Sequence, residues 1–290
     1  PAVILLGAGG AALNASTSTL VADLHDDPGR KSAALNILGV FFGIGAVFLP
    51  FAAGALLGAL GIARLLAAAA ALCLAAGLFA AALRYPAPKQ KHGLPIAEIP
   101  RFLRSPFVLL MGGLLFLQSG VEFTMGGYIS TYLTRGFGLT VAAASWCLAG
   151  YWASIMLARV FWSRVLVRVN PRMVVALCGA CASAAALAAA LAPGPVFAAT
   201  AICLAGLALS GIFPTALGIA GAAFKEHSGT VFGILFTAAL TGGTLMPWAA
   251  GRLARAAGLP WVFALVAAAL ATIGILARVV GRVPAGHGRG

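Results

Sequence analysis

Over most of the chain, apolar residues run for about 20 positions at a time, the length a helix needs to cross the roughly 30 Å hydrocarbon layer. The runs are broken by short clusters of Gly, Pro and charged residues. Nine of them can be drawn, at 2–22, 35–60, 62–83, 107–133, 140–163, 173–193, 196–222, 230–255 and 260–281. The pattern predicts an all-α integral membrane protein with nine transmembrane helices. One interruption differs from the rest: residues 85–106 are polar, Pro-rich and basic, and read as a linker. The expected organisation is three spans in 1–84, the cytoplasmic linker 85–106, six spans in 107–282 and a short tail at 283–290.

The apolar pattern also repeats. Residues 45–61 read GAVFLPFAAGALLGALG and residues 242–258 read GGTLMPWAAGRLARAAG, so that a Gly-x4-Pro-x3-Gly core recurs at an offset of 197. The same offset maps the first three spans onto the last three in the same direction, as expected for parallel repeats of a six-helix unit. On that scheme the nine spans correspond to helices four to twelve of a twelve-helix fold, with three helices missing ahead of Pro1. A chain so shortened is expected not to transport on its own.

Composition agrees with a membrane setting. Hydrophobic residues make up 62% of the 290 positions and charged residues 9%, with a mean hydropathy of +1.03; soluble domains carry about 25% charged residues. The net charge of +13 would suggest nucleic acid in a soluble protein. Here fifteen of the nineteen Lys and Arg fall on one side of the predicted spans, so they mark the cytoplasmic face and no nucleic-acid partner is required. This orientation places the C-terminus inside, in a multi-pass protein of the cell (inner) membrane. The five cysteines lie in apolar runs, and Cys178 and Cys181, although spaced as CxxC, read as packing residues. The four histidines are scattered, so no metal or cofactor is expected.

Of six acidic residues, only Glu122 lies deep within a span. An intramembrane carboxylate is costly and normally marks a substrate or proton pathway. Gln118, one turn earlier, shares its helix face. Glu122 is therefore the first candidate for binding solute hydroxyls or carrying a proton, against a purely structural carboxyl. Asn14 with Thr17 and Ser18, and Thr237, Thr241 and Thr244 at i, i+4 and i+7, line single helix faces; they suit either a cavity between the halves or interhelical hydrogen bonding. Tyr151 and Trp152 in mid-span could form a stacking platform or fill a helix contact. Pro50, Pro214 and Pro247 are candidate helix bends.

The repeated Gly-x4-Pro-x3-Gly helices, the basic central loop and the six-plus-six arrangement resemble the major facilitator superfamily. More narrowly, FLQSGVEFTMGGYISTYL at 116–133 and LNILGVFFGIGAVFLP at 35–50 resemble helices of the fucose permease-like branch of sugar/proton symporters. Two positions depart from that branch: Asn14 stands where an acidic residue is expected and Phe42 where an Asn is. The resemblance implies that Asp23 belongs to a cytoplasmic charge network and that Arg159, Arg164 and Arg168 brace an inward gate, although positive-inside topology alone would also account for the arginines. It implies a monomeric secondary transporter, not an enzyme, that moves a small polar solute such as a sugar with protons by alternating access. The alternatives are a drug/metabolite carrier, whose inverted repeat the parallel offset disfavours, and a non-transporting membrane scaffold or membrane enzyme.

Overall fold

The computed structural model describes residues 2–87 and 99–283, with backbone only at 2–4, 6, 46, 47, 49–55 and 57–59. Much of the expected linker, including Glu98, and nearly all of the tail lie outside the described residues. The rest is helical: α1 (Ala2–Asp23), α2 (Pro28–Ala82), α3 (Ile99–Leu103), α4 (Pro106–Phe137), α5 (Val141–Val165), α6 (Pro171–Ala190), α7 (Pro195–Leu209), α8 (Ile212–Ala223), α9 (Ser228–Ala257) and α10 (Pro260–Val280).

The helix starts follow from local chemistry. Pro28, Pro106, Pro171, Pro195 and Pro260 each open a helix, where the missing N–H would have no intrahelical partner and the fixed φ already suits the turn. Several preceding residues cap the exposed donors: Asp27 accepts from the Arg30 N–H at 2.8 Å and Asn170 from the Arg172 N–H at 3.0 Å. Thr140 caps α5 through the Ala143 N–H at 3.2 Å.

The span count differs from the expectation. Among the described residues, seven helices are long and apolar enough to cross a membrane, not nine: Leu60–Ala82, Pro106–Phe137, Val141–Val165, Pro171–Ala190, Pro195–Ala223, Ser228–Ala257 and Pro260–Val280. The two N-terminal stretches are not among the seven. In α1 the second half carries Asn14, Ser16, Thr17, Ser18 and Thr19, which offset its apolar first half. Residues 28–60 of α2 open on Arg30, Lys31, Ser32 and Asn36 and then enter the stretch whose side chains are not described. Apolar run length alone does not weigh these polar positions.

Two glycines paired by the offset of 197 share a positive φ. Gly61, where α2 breaks, has φ 70 and ψ 163, and its equivalent Gly258, at the end of α9, has φ 102 and ψ 164. Glycine alone adopts this conformation without strain. The equivalence does not extend to packing. A Cβ on Gly45 would meet nothing within 4 Å, whereas one on its counterpart Gly242 would overlap the Phe116 carbonyl, with the Phe116 carbonyl carbon at 2.6 Å. Here α9 lies against α4 backbone to backbone, the close approach that small residues permit in membrane bundles. Gly242→Ala is therefore expected to destabilise by about 1–3 kcal/mol, and Gly45→Ala to be nearly silent. Thermal unfolding of the two purified variants tests this; equal midpoints would count against it.

The core lies among α4 to α10. Tyr132 is 2% exposed, donates its hydroxyl to the Ala189 carbonyl at 2.6 Å and packs its ring 4.3 Å from that of Phe263. By contrast, Leu60–Ala82 buries none of its length against the rest of the described structure. The N-terminal helices reach the core through the first part of α2, which packs against α5 and α8, and through α1, which packs against α9 and α8.

Candidate functional site: a buried charge pair joining α4, α5 and α2

Glu122 is not alone in its span. Its Oε1 lies 3.8 Å from Nη2 of Arg159, and its Oε2 accepts a hydrogen bond from Gln118 Nε2 at 3.2 Å. The second nitrogen of the same guanidinium, Nη1, donates to the carbonyl of Gly39 at 2.9 Å. One arginine on α5 thus holds a carboxylate of α4 and a backbone oxygen of α2. The Arg159 side chain is 9% exposed and that of Glu122 16%, so the pair is largely removed from solvent while the carboxyl retains an accessible edge. Gln118 shares the Glu122 face of α4, one turn away. Tyr151, Ile155 and Arg159 recur at i, i+4 and i+8 on α5, and Tyr151 lies close enough to feel both charges.

The cluster is under-satisfied. Gln118 Oε1, the Tyr151 hydroxyl and Arg159 Nε are buried and have no hydrogen-bond partner among the described residues. Buried polar atoms are normally paired, and each exception calls for an occupant or a function. An uncharged polar solute with hydroxyl groups could accept from Arg159 and donate to Gln118. Trp152 packs against Tyr151 with ring centroids 5.4 Å apart, and a Cβ on Gly126 would meet its ring at 3.1 Å, so it fills a helix contact beside the cluster.

The other sequence candidates fall elsewhere. Asn14, Thr237, Thr241 and Thr244 are exposed, and each threonine hydroxyl donates to the carbonyl four residues earlier on its own helix. They make no hydrogen bond between helices in the described structure. Ser18 is buried. Arg159, Arg164 and Arg168 do not form one network with Asp23. Arg164 and Arg168 are exposed near the end of α5, whereas Arg159 lies inside with Glu122. Pro214 sits in the first turn of α8, the interruption being at Ser210–Gly211, and Pro247 lies within a continuous α9. Pro50 falls in α2, and its side chain is outside the described residues.

A second set of contacts closes the end of the bundle that carries most of the basic residues. Asp23 accepts from the Ser228 hydroxyl through both carboxylate oxygens, at 3.0 and 3.1 Å. Lys31, fully buried, donates to the Gly221 carbonyl at 3.0 Å, and Asn36 donates to the Ser32 carbonyl at 2.8 Å and to the Thr215 hydroxyl at 3.5 Å. Glycines allow this approach. A Cβ on Gly218 would collide with the Ser32 hydroxyl and backbone, one on Gly29 with the Leu166 carbonyl, and one on Gly43 with Met156. Gly39 and Gly43 form a Gly-x3-Gly pair facing α5, a spacing typical of close helix contacts in membranes. It was present in the sequence, and it was the signal that could have identified this seam.

A cavity of about 660 Å³ lies between α5, α6 and α7, away from the charge pair. Leu157, Phe161, Trp162, Leu204 and Leu207 line it, a surface suited to apolar groups and not to a polar solute.

The sequence matches the Major Facilitator Superfamily over residues 2–135 and again over residues 111–289. The chain belongs to the Major Facilitator Superfamily. It is a secondary active transporter, integral to the membrane with multiple passes, and not an enzyme. An alanine-substituted variant of the E. coli fucose:proton symporter, FucP, superposes with a TM-score of 0.81 at 20% identity, covering 92% of this chain and 73% of that one. FucP in the outward conformation gives a TM-score of 0.78 at 19% identity over 92% of this chain and 72% of that one. The human organic anion transporter MFSD10 (TETRAN) gives 0.66 at 18% identity, over 91% and 67%. At these identities the likeness is one of fold. No curated protein matches by sequence.

Proposed function

We propose that this transporter carries a small polar solute, a sugar or a similar polyol, together with protons. The observation that carries the reading is the largely buried Glu122–Arg159 pair with three orphaned polar atoms, Gln118 Oε1, the Tyr151 hydroxyl and the pair's own Arg159 Nε. A carboxyl with an accessible edge inside a membrane bundle can take up and release a proton. The orphaned donors and acceptors offer hydroxyl groups the partners that water offers them outside. The exposed Asn14, Thr237 and Thr241 add polar groups to the bundle's surface, and the fold of a fucose:proton symporter supports the same chemistry.

The end closed by Asp23, Lys31, Ser32 and Asn36 is the cytoplasmic one on the positive-inside rule, with the C-terminus on that side. Closure there corresponds to an outward-facing form, and alternating access consists of releasing this seam while the opposite end closes. The protein acts as a monomer in the cell (inner) membrane.

The test is accumulation of radiolabelled sugars by the full-length gene product in proteoliposomes, with and without an inward proton gradient. The expected result is uphill uptake of at least one sugar that a protonophore abolishes. Uptake indifferent to the gradient would remove the proton, and no uptake across a broad panel of sugars and polyols would remove the solute class.

A further inference from the structure

We infer that Arg159 is the positioning residue through which the charge on Glu122 controls the seam between α2 and α5; the inference rests on the proposed proton-coupled reading of the same site. The geometry is specific. A single guanidinium donates to the Gly39 carbonyl at 2.9 Å and faces Glu122 at 3.8 Å, and it is nearly buried. A buried guanidinium is tolerable only while a counter-charge compensates it. Ionised Glu122 provides that charge, so the ionised form holds Arg159 in place and Arg159 in turn holds α2. Protonation of Glu122 leaves the guanidinium uncompensated and favours its withdrawal toward water. The Gly39 carbonyl is then released, and with it the first part of α2.

Among the described residues no second carboxylate stands beside the pair. Facing it are Gln118 from α4 itself and Tyr151 and Arg159 from α5. From α2 comes the uncharged Gly39 carbonyl. In their middle parts α7, α8, α9 and α10 carry apolar, hydroxyl and thiol side chains, and their charged residues, Arg252, Arg255 and Arg278, stand near helix ends. Gly39 is suited to its place because a Cβ there would stand 2.9 Å from Arg159 Nη1 and 3.3 Å from Cζ. Any side chain would push the guanidinium off the carbonyl. The direction of the effect is the one a symporter requires: loading the proton from outside loosens the inner seam.

The experiment reads the contact of α1 with α8 next to the first part of α2, where Lys31 of α2 donates to the Gly221 carbonyl. Ala22, fully buried on α1 beside Gly221, is replaced by cysteine in a background where the five native cysteines are removed. Labelling by a water-soluble maleimide then reports opening, with thiol ionisation corrected by a free-thiol standard at each pH. With otherwise native residues, labelling is expected to rise as pH falls. Glu122→Gln and Gly39→Ala are each expected to raise it at neutral pH by at least about fivefold, the lower end of ordinary coupling between sites, and to flatten the pH profile. Gly39→Ala leaves Glu122 itself untouched, so a shared phenotype points to Arg159. Labelling unchanged by both variants, in a protein whose uptake remains proton-driven, overturns the role of Arg159 alone. Uptake indifferent to the proton gradient overturns the underlying reading instead.

Discussion

Glu122→Gln is expected to abolish proton-driven accumulation while leaving solute exchange across the membrane in place. The amide keeps the shape of the carboxyl and can still accept from Gln118 Nε2, now 3.2 Å from Glu122 Oε2, but it has no proton to gain or lose. It also removes the counter-charge of a guanidinium whose side chain is 9% exposed. Breaking a buried ion pair from one side typically costs about 3–5 kcal/mol, and the partly accessible carboxyl places this pair toward the lower end. Two effects are therefore superimposed, and a second variant separates them. Glu122→Gln combined with Arg159→Gln removes both charges, and replacing a whole pair is often neutral for folding. The double variant should recover thermal stability relative to the single one and still fail to concentrate solute against a gradient. Measured as the internal-to-external ratio of labelled solute, both variants should reach only the level seen without a gradient. Full accumulation by Glu122→Gln would refute the proton role.

How much of this was legible in the sequence depends on the residue. The apolar runs located the helices, and Gly61 and Gly258, paired by the repeat, mark helix ends with matching positive φ. The number of spans was not legible from run length: in α1 the polar residues from Asn14 to Thr19 offset the apolar first half, and residues 28–60 of α2 run into the stretch whose side chains are not described. Glu122 stood out because acids within spans are rare. Its partner stood out only as one of three candidate gate arginines: Arg159 lies six residues before the end of α5, and in a linear reading a basic residue there also looks like a topology signal. Only the helical period, which places Tyr151, Ile155 and Arg159 on one face, turns it inward. The glycines of the seam were harder still. Gly39, Gly43 and Gly218 are informative because of what lies opposite them, and glycine is common in membrane helices for many reasons.

Gly218→Val is expected to cost transport more than any substitution outside the charge pair, and to do so by acting on one conformation. A Cβ at this position would overlap the Ser32 hydroxyl and stand 2.8 Å from both the Ser32 Cα and N. Main-chain atoms cannot rotate away as the end of a long side chain can. The overlap exists only while α2 lies against α8, so the penalty falls on the closed seam and not on the open one. At about 1–3 kcal/mol for overpacking, it shifts the balance of closed and open forms by roughly 5- to 150-fold. A transporter held open at one end binds solute from that side and cannot complete the cycle. Uptake should fall by an order of magnitude or more, consistent with that range, while the protein remains folded and maleimide labelling of Ala22→Cys becomes fast at all pH values. Gly113→Val, at a position where a Cβ would meet nothing within 4 Å, is the matching control and should transport normally. Ser32→Gly should rescue only in part, because the Ser32 backbone stays in the way after its hydroxyl is gone. Normal uptake by folded Gly218→Val would show that α2 and α8 need not meet this closely during the cycle, and the seam would lose its place as the inner gate.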